Sequence, residues 1–350
     1  MLLQRRRPVF SFLRRLLHSA TTISQHHHQG IKLEETSSVS CRLTSRAVIK
    51  IHGPDAIKFL QGLLTNDVKR ILSQTSPSIY NAVLTSQGRF LYDLFVYRPL
   101  LPREDLFYAD VGVDVVDELL DSFKRYRLRS KVEIQNVAEE FTCWQRFGDK
   151  IVANSSSESP ANGNNFGYSW YKDPRLECLG FRGIFPSDTI PPLVKYEKKM
   201  DEDDYLLWRL KRGVAEGSIE IPKGVAIPHE FNLIGLNAIS FDKGCYVGQE
   251  FVARTHYRGI IRKRLIPMKF TNENGEEVKQ RVIPGMEVVE ANSNKKIGTI
   301  SMVLGCHGIG VLKLKDSTQS SLVIRDHPDI MISVTLPEWW PSEWTQEHPE

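Results

Sequence analysis

No uninterrupted run of about 18 apolar residues, the least that a membrane-crossing helix needs, occurs anywhere in the 350 residues. Insertion into a membrane by a helix is therefore not expected. Cysteine is sparse and scattered. Cys41, Cys143, Cys178, Cys245 and Cys306 are odd in number, contain no Cys-x-x-Cys and form no Cys/His cluster at zinc spacing. That pattern argues against a disulfide framework and a zinc module. It also lacks the four close thiolates that usually hold an iron-sulfur cluster within one chain. Acidic residues are missing from the N-terminus, where none precedes Glu34. Without the five arginines found there (Arg5, Arg6, Arg7, Arg14 and Arg15), the formal charge falls from +4 to +4 − 5 = −1. Bulk charge thus gives no argument for nucleic-acid binding, and no nucleic-acid partner is expected.

What is present is an ordinary globular composition, 41% hydrophobic and 25% charged, with length for two or three packed units. Residues 1–33 combine the five arginines with Ser19, Thr21, Thr22 and Ser24. Phe10, Phe12, Leu13, Leu16 and Leu17 can share one helix side that leaves Arg14 and Arg15 outside. This is the make-up of a transit peptide for the mitochondrial matrix, with chloroplast import and a disordered basic tail as the alternatives. His26, His27 and His28 belong to that tail.

Cys41 to Ile51 reads as one strand, and Asp55 to about Leu72 as a helix, since Ile57, Leu60, Leu64 and Val68 recur at helical spacing. Asn81 to Tyr97 gives two strands around Ser86-Gln87-Gly88, and Phe107 to Val111 a third. Asp114 to Arg127 is helical, with acids at its start and bases at its end, as the macrodipole favours. Asn154 to Gly167, rich in Ser, Asn and Gly, is expected to be a surface loop. Asp201 to Asp204 start a helix that Gly213 can end. Beyond Arg262 come short β-rich pieces, Leu265 to Phe270, Met286 to Glu290, Ile297 to Leu304, Ile309 to Leu314 and Ile330 to Leu336, expected to form a small β-barrel. Cys306-His307 reads as a barrel turn, Trp339, Trp340 and Trp344 as a terminal clasp, and Gln346 to Glu350 as tail.

The densest chemistry lies in Asp242-Lys-Gly-Cys-Tyr-Val-Gly-Gln-Glu250. Gly244 and Gly248 permit backbone shapes that would present Cys245 sharply. Lys243 is placed to favour the thiolate, the form that attacks electrophiles or ligates metal. The plainer reading makes Cys245 a small buried residue and pairs Glu250 with Arg254 or Arg258.

Lys243-Gly244-Cys245-Tyr246-x-Gly248-Gln249-Glu250 resembles the signature of the YgfZ proteins, relatives of the aminomethyltransferase (T-protein) of the glycine cleavage system. Phe59-Leu-Gln-Gly-Leu-Leu-Thr-Asn-Asp67, Tyr126-Arg-Leu-Arg-Ser-Lys131 and Arg209-Leu-Lys-Arg-Gly-Val214 extend the resemblance over most of the chain. It implies an α+β, three-lobed folate-binding fold with a C-terminal β-barrel. The lobes would be 34–135 with 220–260, a ferredoxin-like 136–219, and the barrel 261–350. It also implies a late-acting mitochondrial factor for 4Fe-4S clusters that works with A-type carrier proteins for clients such as aconitase and lipoate synthase. Cys245 would then be a transient or shared cluster ligand, and tetrahydrofolate a cofactor, with Asp93, Arg254 and Arg258 as its contacts.

The alternative within this resemblance is the aminomethyltransferase itself. That enzyme carries its acid in a Gly-Gly-x-x-Asp-Asp-Leu run, whereas the comparable stretch here, Gln87-Gly-Arg-Phe-Leu-Tyr-Asp-Leu94, keeps only Asp93, and Lys211 stands where a folate-contacting Glu is expected. An adaptor without a reactive thiol is a third reading.

Overall fold

The computed structural model describes residues 38–72, 78–99, 105–149, 151 and 170–345. The expected leader, the 154–167 loop and the 346–350 tail lie outside the described residues.

The chain begins with strands β1 (Val39–Leu43) and β2 (Arg46–His52), where the sequence reads as one strand. The break is made by a distant residue. The Glu202 carboxylate accepts the Thr44 N–H at 2.8 Å and the Thr44 hydroxyl at 2.7 Å, together with the Ser45 hydroxyl. The two strands consequently enter different sheets. β1 lies beside β7 (Phe141–Phe147), Cys41 opposite Gln145, and runs parallel to β10 (Lys198–Lys199). The strand assigned from sequence to the first lobe, within 34–135, is therefore part of the second sheet.

The first sheet has the order β3-β4-β5-β2-β6, formed by β3 (Ser78–Leu84), β4 (Phe90–Tyr97), β5 (Leu106–Gly112) and β6 (Glu133–Asn136) around β2. Helices α1 (Ala56–Leu63) and α2 (Val116–Arg127) supply Phe59, Leu60, Leu119 and Phe123 to the core they share with Ile49, Leu94 and Ala109. Phe59 and Phe123 meet edge to face at 5.6 Å, a favoured aromatic geometry. α1 is shorter than its periodicity suggests. Leu64 turns extended and bridges Val83, Thr65 donates its N–H to Ala82 O at 3.0 Å, and a separate 3-10 turn follows at Val68–Leu72.

The second sheet, β10-β1-β7-β9-β8, adds β8 (Trp170–Lys172) and β9 (Phe181–Pro186). Helix α3 (Glu202–Lys211) starts with the reciprocal Asp201–Asp204 capping box, which satisfies two otherwise orphaned N–H groups. Helices α4 (Gly217–Glu220) and α5 (Gln249–Arg258) complete the middle of the chain. The C-terminal part closes into a barrel in the order β11-β14-β13-β12-β15-β16, made of β11 (Lys263–Thr271), β12 (Glu287–Glu290), β13 (Lys296–Leu304), β14 (His307–Lys313), β15 (Leu322–Ile324) and β16 (His327–Val334). Cys306 sits in the β13–β14 turn after Gly305, its sulfur 3.3 Å from His307 Nδ1. The terminal tryptophans clasp the barrel to α3, since Trp339 Nε1 donates to Arg212 O at 2.8 Å.

Candidate functional site

The loop ahead of α5 is fastened to the first lobe from several directions. Lys243 Nζ donates to Gln61 O at 2.8 Å and to Leu64 O, at the C-terminal end of α1, and lies 4.9 Å from the Tyr246 ring centroid. A cation there complements both the free carbonyls and the negative end of the helix dipole. Burial pulls the Lys243 ammonium down to about 8, opposed by Asp67. Val247 N–H donates to Gly62 O at 3.1 Å and Ser240 N–H to Thr65 O at 3.0 Å. Asn66 Nδ2 donates to Asn237 O at 2.6 Å. The segment Phe59–Asp67 and the signature loop are thus two halves of one joint.

Gln249 closes the loop on itself, its Oε1 accepting the Tyr246 N–H at 3.2 Å. Tyr246 is buried, which pushes its hydroxyl up to about 12. Gly248 precedes α5 at φ 85°, and a Cβ there would lie 3.0 Å from Leu84 Cβ and 3.2 Å from Gly88 Cα, and against Thr85 O. Only glycine fits both the left-handed backbone and that approach. Gly244 differs. A Cβ on it would meet nothing within 4 Å, so the sharp presentation expected of both glycines rests on Gly248 alone.

Cys245 is exposed, whereas Cys41, Cys143 and Cys306 are buried and Cys178 is intermediate. The plainer expectation that the residue at position 245 is buried is thereby corrected. No hydrogen bond joins Lys243 to Cys245 among the described residues; the ammonium is committed to α1. Glu250 is exposed too, and no ion pair links it to Arg254 or Arg258 among the described residues. Among the described residues no group of three or more His, Cys, Asp or Glu side chains is placed to hold a metal ion, so a cluster at Cys245 would need ligands from elsewhere.

The expected folate contacts do not form one set. Asp93 is buried at 1% exposure, and its oxygens accept from Arg46 Nη1 at 3.0 Å, Tyr80 Oη at 3.1 Å and Gly217 N–H at 3.0 Å. Arg254 and Arg258 are instead exposed on α5. No free carboxylate is left at Asp93 to receive a ligand. The residues present do not fit tetrahydrofolate in the way the resemblance implies.

Asp93 belongs to a buried ionic network that the sequence reading missed. Its hub is Glu216, approached by Arg175 at 2.6 Å, Arg182 at 3.0 Å, Arg46 at 3.8 Å and Arg209 at 3.9 Å. Asp110 binds Arg182 and Arg46 at 2.7 and 2.8 Å, Asp173 binds Arg175 at 2.7 Å, and Glu220 binds Arg209 at 2.7 Å. Arg182 lies 3.9 Å over the Phe95 ring centroid. Burial alone would raise the Glu216 carboxyl, but Arg182, Arg175, Arg209 and Arg46 hold it well below its usual value. Asp110 is lowered for the same reason, against burial, by Arg182 and Arg46, whereas burial prevails at Glu220 and raises it. The one signal in the sequence was Arg209 within the resemblance; Arg46, Arg175 and Arg182 carry none, since arginine is seldom fully buried.

The backbone, with its closed C-terminal barrel, has the fold of a solved aminomethyltransferase. The glycine cleavage system aminomethyltransferase T from Bartonella henselae superposes with a TM-score of 0.66 over 88% of both chains, at 13% sequence identity. The barrel matches the model described as CAF17, C-terminal beta-barrel domain, over residues 262–342. Relatives narrow this class further. The iron-sulfur cluster assembly factor IBA57, mitochondrial, of Mus musculus is 32% identical over 314 residues, 86% of this chain and 85% of its own. Its Homo sapiens counterpart is 32% identical over 315 residues with the same coverage, and the Dictyostelium discoideum homolog 36% identical over 264 residues, 67% of this chain and 64% of its own. The chain belongs to the IBA57 family of mitochondrial iron-sulfur cluster assembly factors. It is a mitochondrial protein, as its relatives are.

Proposed function

We propose that this protein is a late-acting iron-sulfur cluster assembly factor of the mitochondrial matrix, and that Cys245 supplies one ligand to a cluster shared with an A-type carrier protein. The observation that carries the reading is an exposed thiol on a loop that Lys243 and Gly248 fix to the first lobe and Gln249 closes on itself. A single thiolate cannot hold a cluster alone but can complete one presented by a partner. The cluster is cargo. In the exchange, Cys245 gives its proton to solvent and forms one Fe–S bond as a carrier thiolate leaves its iron and takes up a proton; no electron is transferred. The 4Fe-4S clients, aconitase and lipoate synthase among them, receive the product.

Aminomethyl transfer to tetrahydrofolate has less support, because the carboxylate it would use, Asp93, has its oxygens engaged by Arg46, Tyr80 and Gly217. No folate step enters the proposal.

Anaerobic reconstitution with iron and sulfide, with and without an A-type carrier, tests it. A cluster absorbance that elutes with the hetero-complex and is lost in Cys245→Ala is expected. A stable cluster on the isolated chain would refute the sharing, and full rescue of aconitase activity and lipoylation by Cys245→Ala in cells lacking the native protein would refute a chemical role for the thiol.

A further inference from the structure

Helix α5 begins four residues after Cys245 and keeps one face exposed, with only Tyr257 on it touching other rings, Phe241 at 5.9 Å and His256 at 4.9 Å. Val252 is its buried residue, while Glu250, Arg254, Tyr257 and Arg258 recur at the spacing of a single helix face and are all exposed. Tyr257 is 69% exposed, and the chain leaves the helix through Ile260, 62% exposed. Two of the most exposed large apolar side chains thus lie on α5 and the residues that leave it.

The charge there is one-sided. From Gln249 to Lys263 the chain carries Arg254, Arg258, Arg262 and Lys263 against Glu250, a formal charge of 4 − 1 = +3. Arg254, Arg258 and Arg262 have no ion-pair partner among the described residues, while Lys263 faces the Glu230 carboxylate. An exposed tyrosine flanked by unpaired arginines is the composition of an interface centre rather than of ordinary surface, which favours lysine and glutamate.

We infer that the outer face of α5, with Arg254, Tyr257, Arg258 and Ile260, is the docking surface for the cluster carrier. It fits an acidic protein that presents a thiolate-bound, negatively charged cluster toward Cys245. The inference rests on the proposed function and adds the place and the chemistry of recognition. At about 1.5 Å per residue the whole helix spans about 15 Å, so a partner seated on this face has Cys245 at its edge.

The test measures binding of a purified A-type carrier to the full-length protein by calorimetry. Arg254→Glu with Arg258→Glu should weaken binding about tenfold or more, and Tyr257→Ala should weaken it as well. Arg254→Lys with Arg258→Lys should retain most of the affinity. Wild-type affinity should fall as salt rises from about 50 to about 300 mM, because exposed charges are screened. Arg254 and Arg258 have no ion-pair partner among the described residues, so the melting temperature of the charge reversal should stay near the wild-type value, whereas Tyr257→Ala also gives up ring contacts with Phe241 at 5.9 Å and His256 at 4.9 Å and should lower it slightly. Carrier binding unchanged by the charge reversal, with Cys245→Ala still unable to share a cluster, would overturn the surface and leave the function standing. Failure of the wild-type protein to bind the carrier would overturn both. If the reversal abolishes binding to phosphatidylglycerol vesicles but not to the carrier, the face belongs to a membrane and the inference is wrong.

Discussion

Gly244 and Gly248 stand four residues apart in one signature, yet their substitution by alanine should have opposite consequences. At Gly248 the φ of 85° places alanine in the left-handed region, at a cost of about 1–2 kcal/mol. Its methyl would also press on Leu84 Cβ at 3.0 Å and on Thr85 O, most of it backbone or core that cannot swing aside, which adds about 1–3 kcal/mol of overpacking. The sum is a loss of about 2–5 kcal/mol, on the scale of those two principles, or displacement of the loop that carries Cys245. At Gly244 the added methyl meets nothing within 4 Å, and the change should stay within about 0.5 kcal/mol. Urea unfolding followed by tryptophan fluorescence reads both, as a lower midpoint for Gly248→Ala and an unmoved one for Gly244→Ala. Carrier-dependent cluster formation should fall in the first variant. Equal midpoints in the two variants would refute the assignment of the joint to Gly248.

Native-state alkylation followed by mass spectrometry should label Cys245 well before Cys41 and Cys143, whose thiols burial both hides and pushes up; comparable labelling rates would contradict this. Lys243→Met removes the donor to Gln61 O and Leu64 O and should cost about 1–3 kcal/mol, with faster hydrogen exchange at Val247 N–H. Glu216→Gln removes the negative charge shared by four arginines and should cost about 3–5 kcal/mol. Because the folded-state pKa of Glu216 is depressed, its contribution is full above its ordinary value of 4.5 and is lost as pH falls below it. The Gln variant should therefore lose stability less steeply on acidification, and an unchanged acid limb of the stability curve would count against the hub.

Much of the fold was legible because it is local. Leu60, Leu119 and Phe123, and the alternating barrel strands announce their faces through periodicity alone. The turn at Ser86-Gln87-Gly88 was equally plain, with Gly88 N–H donating to Thr85 O at 2.9 Å. What was hidden depends on residues far away in the chain. Nothing near Thr44 and Ser45 signals a break, since the carboxylate that makes it is Glu202, 158 residues on from Thr44. Strand β15 is three residues long and too short to show alternation. In the site, the signature pointed to Cys245, but the purpose of Lys243 was not readable beside the thiol, because its partners lie in α1. Asp93 suggested a ligand contact only because Arg46 gives no sequence sign of being buried.

The central network also bears on how this sequence can change over evolutionary time. Four arginines and five carboxylates, drawn from β2, β4, β5, β9, α3, α4 and the turns beside them, pair with one another almost wholly shielded from solvent. Such groups are energetically coupled, so a change at one alters what is tolerated at the rest. Lysine would not substitute for an arginine whose planar fork meets two carboxylates at once, as Arg182 meets Asp110 and Glu216. Drift through single substitutions is therefore blocked at these positions. Divergence there must proceed by paired replacement, the slow route, while the exposed face of α5 remains free to follow whatever partner it meets.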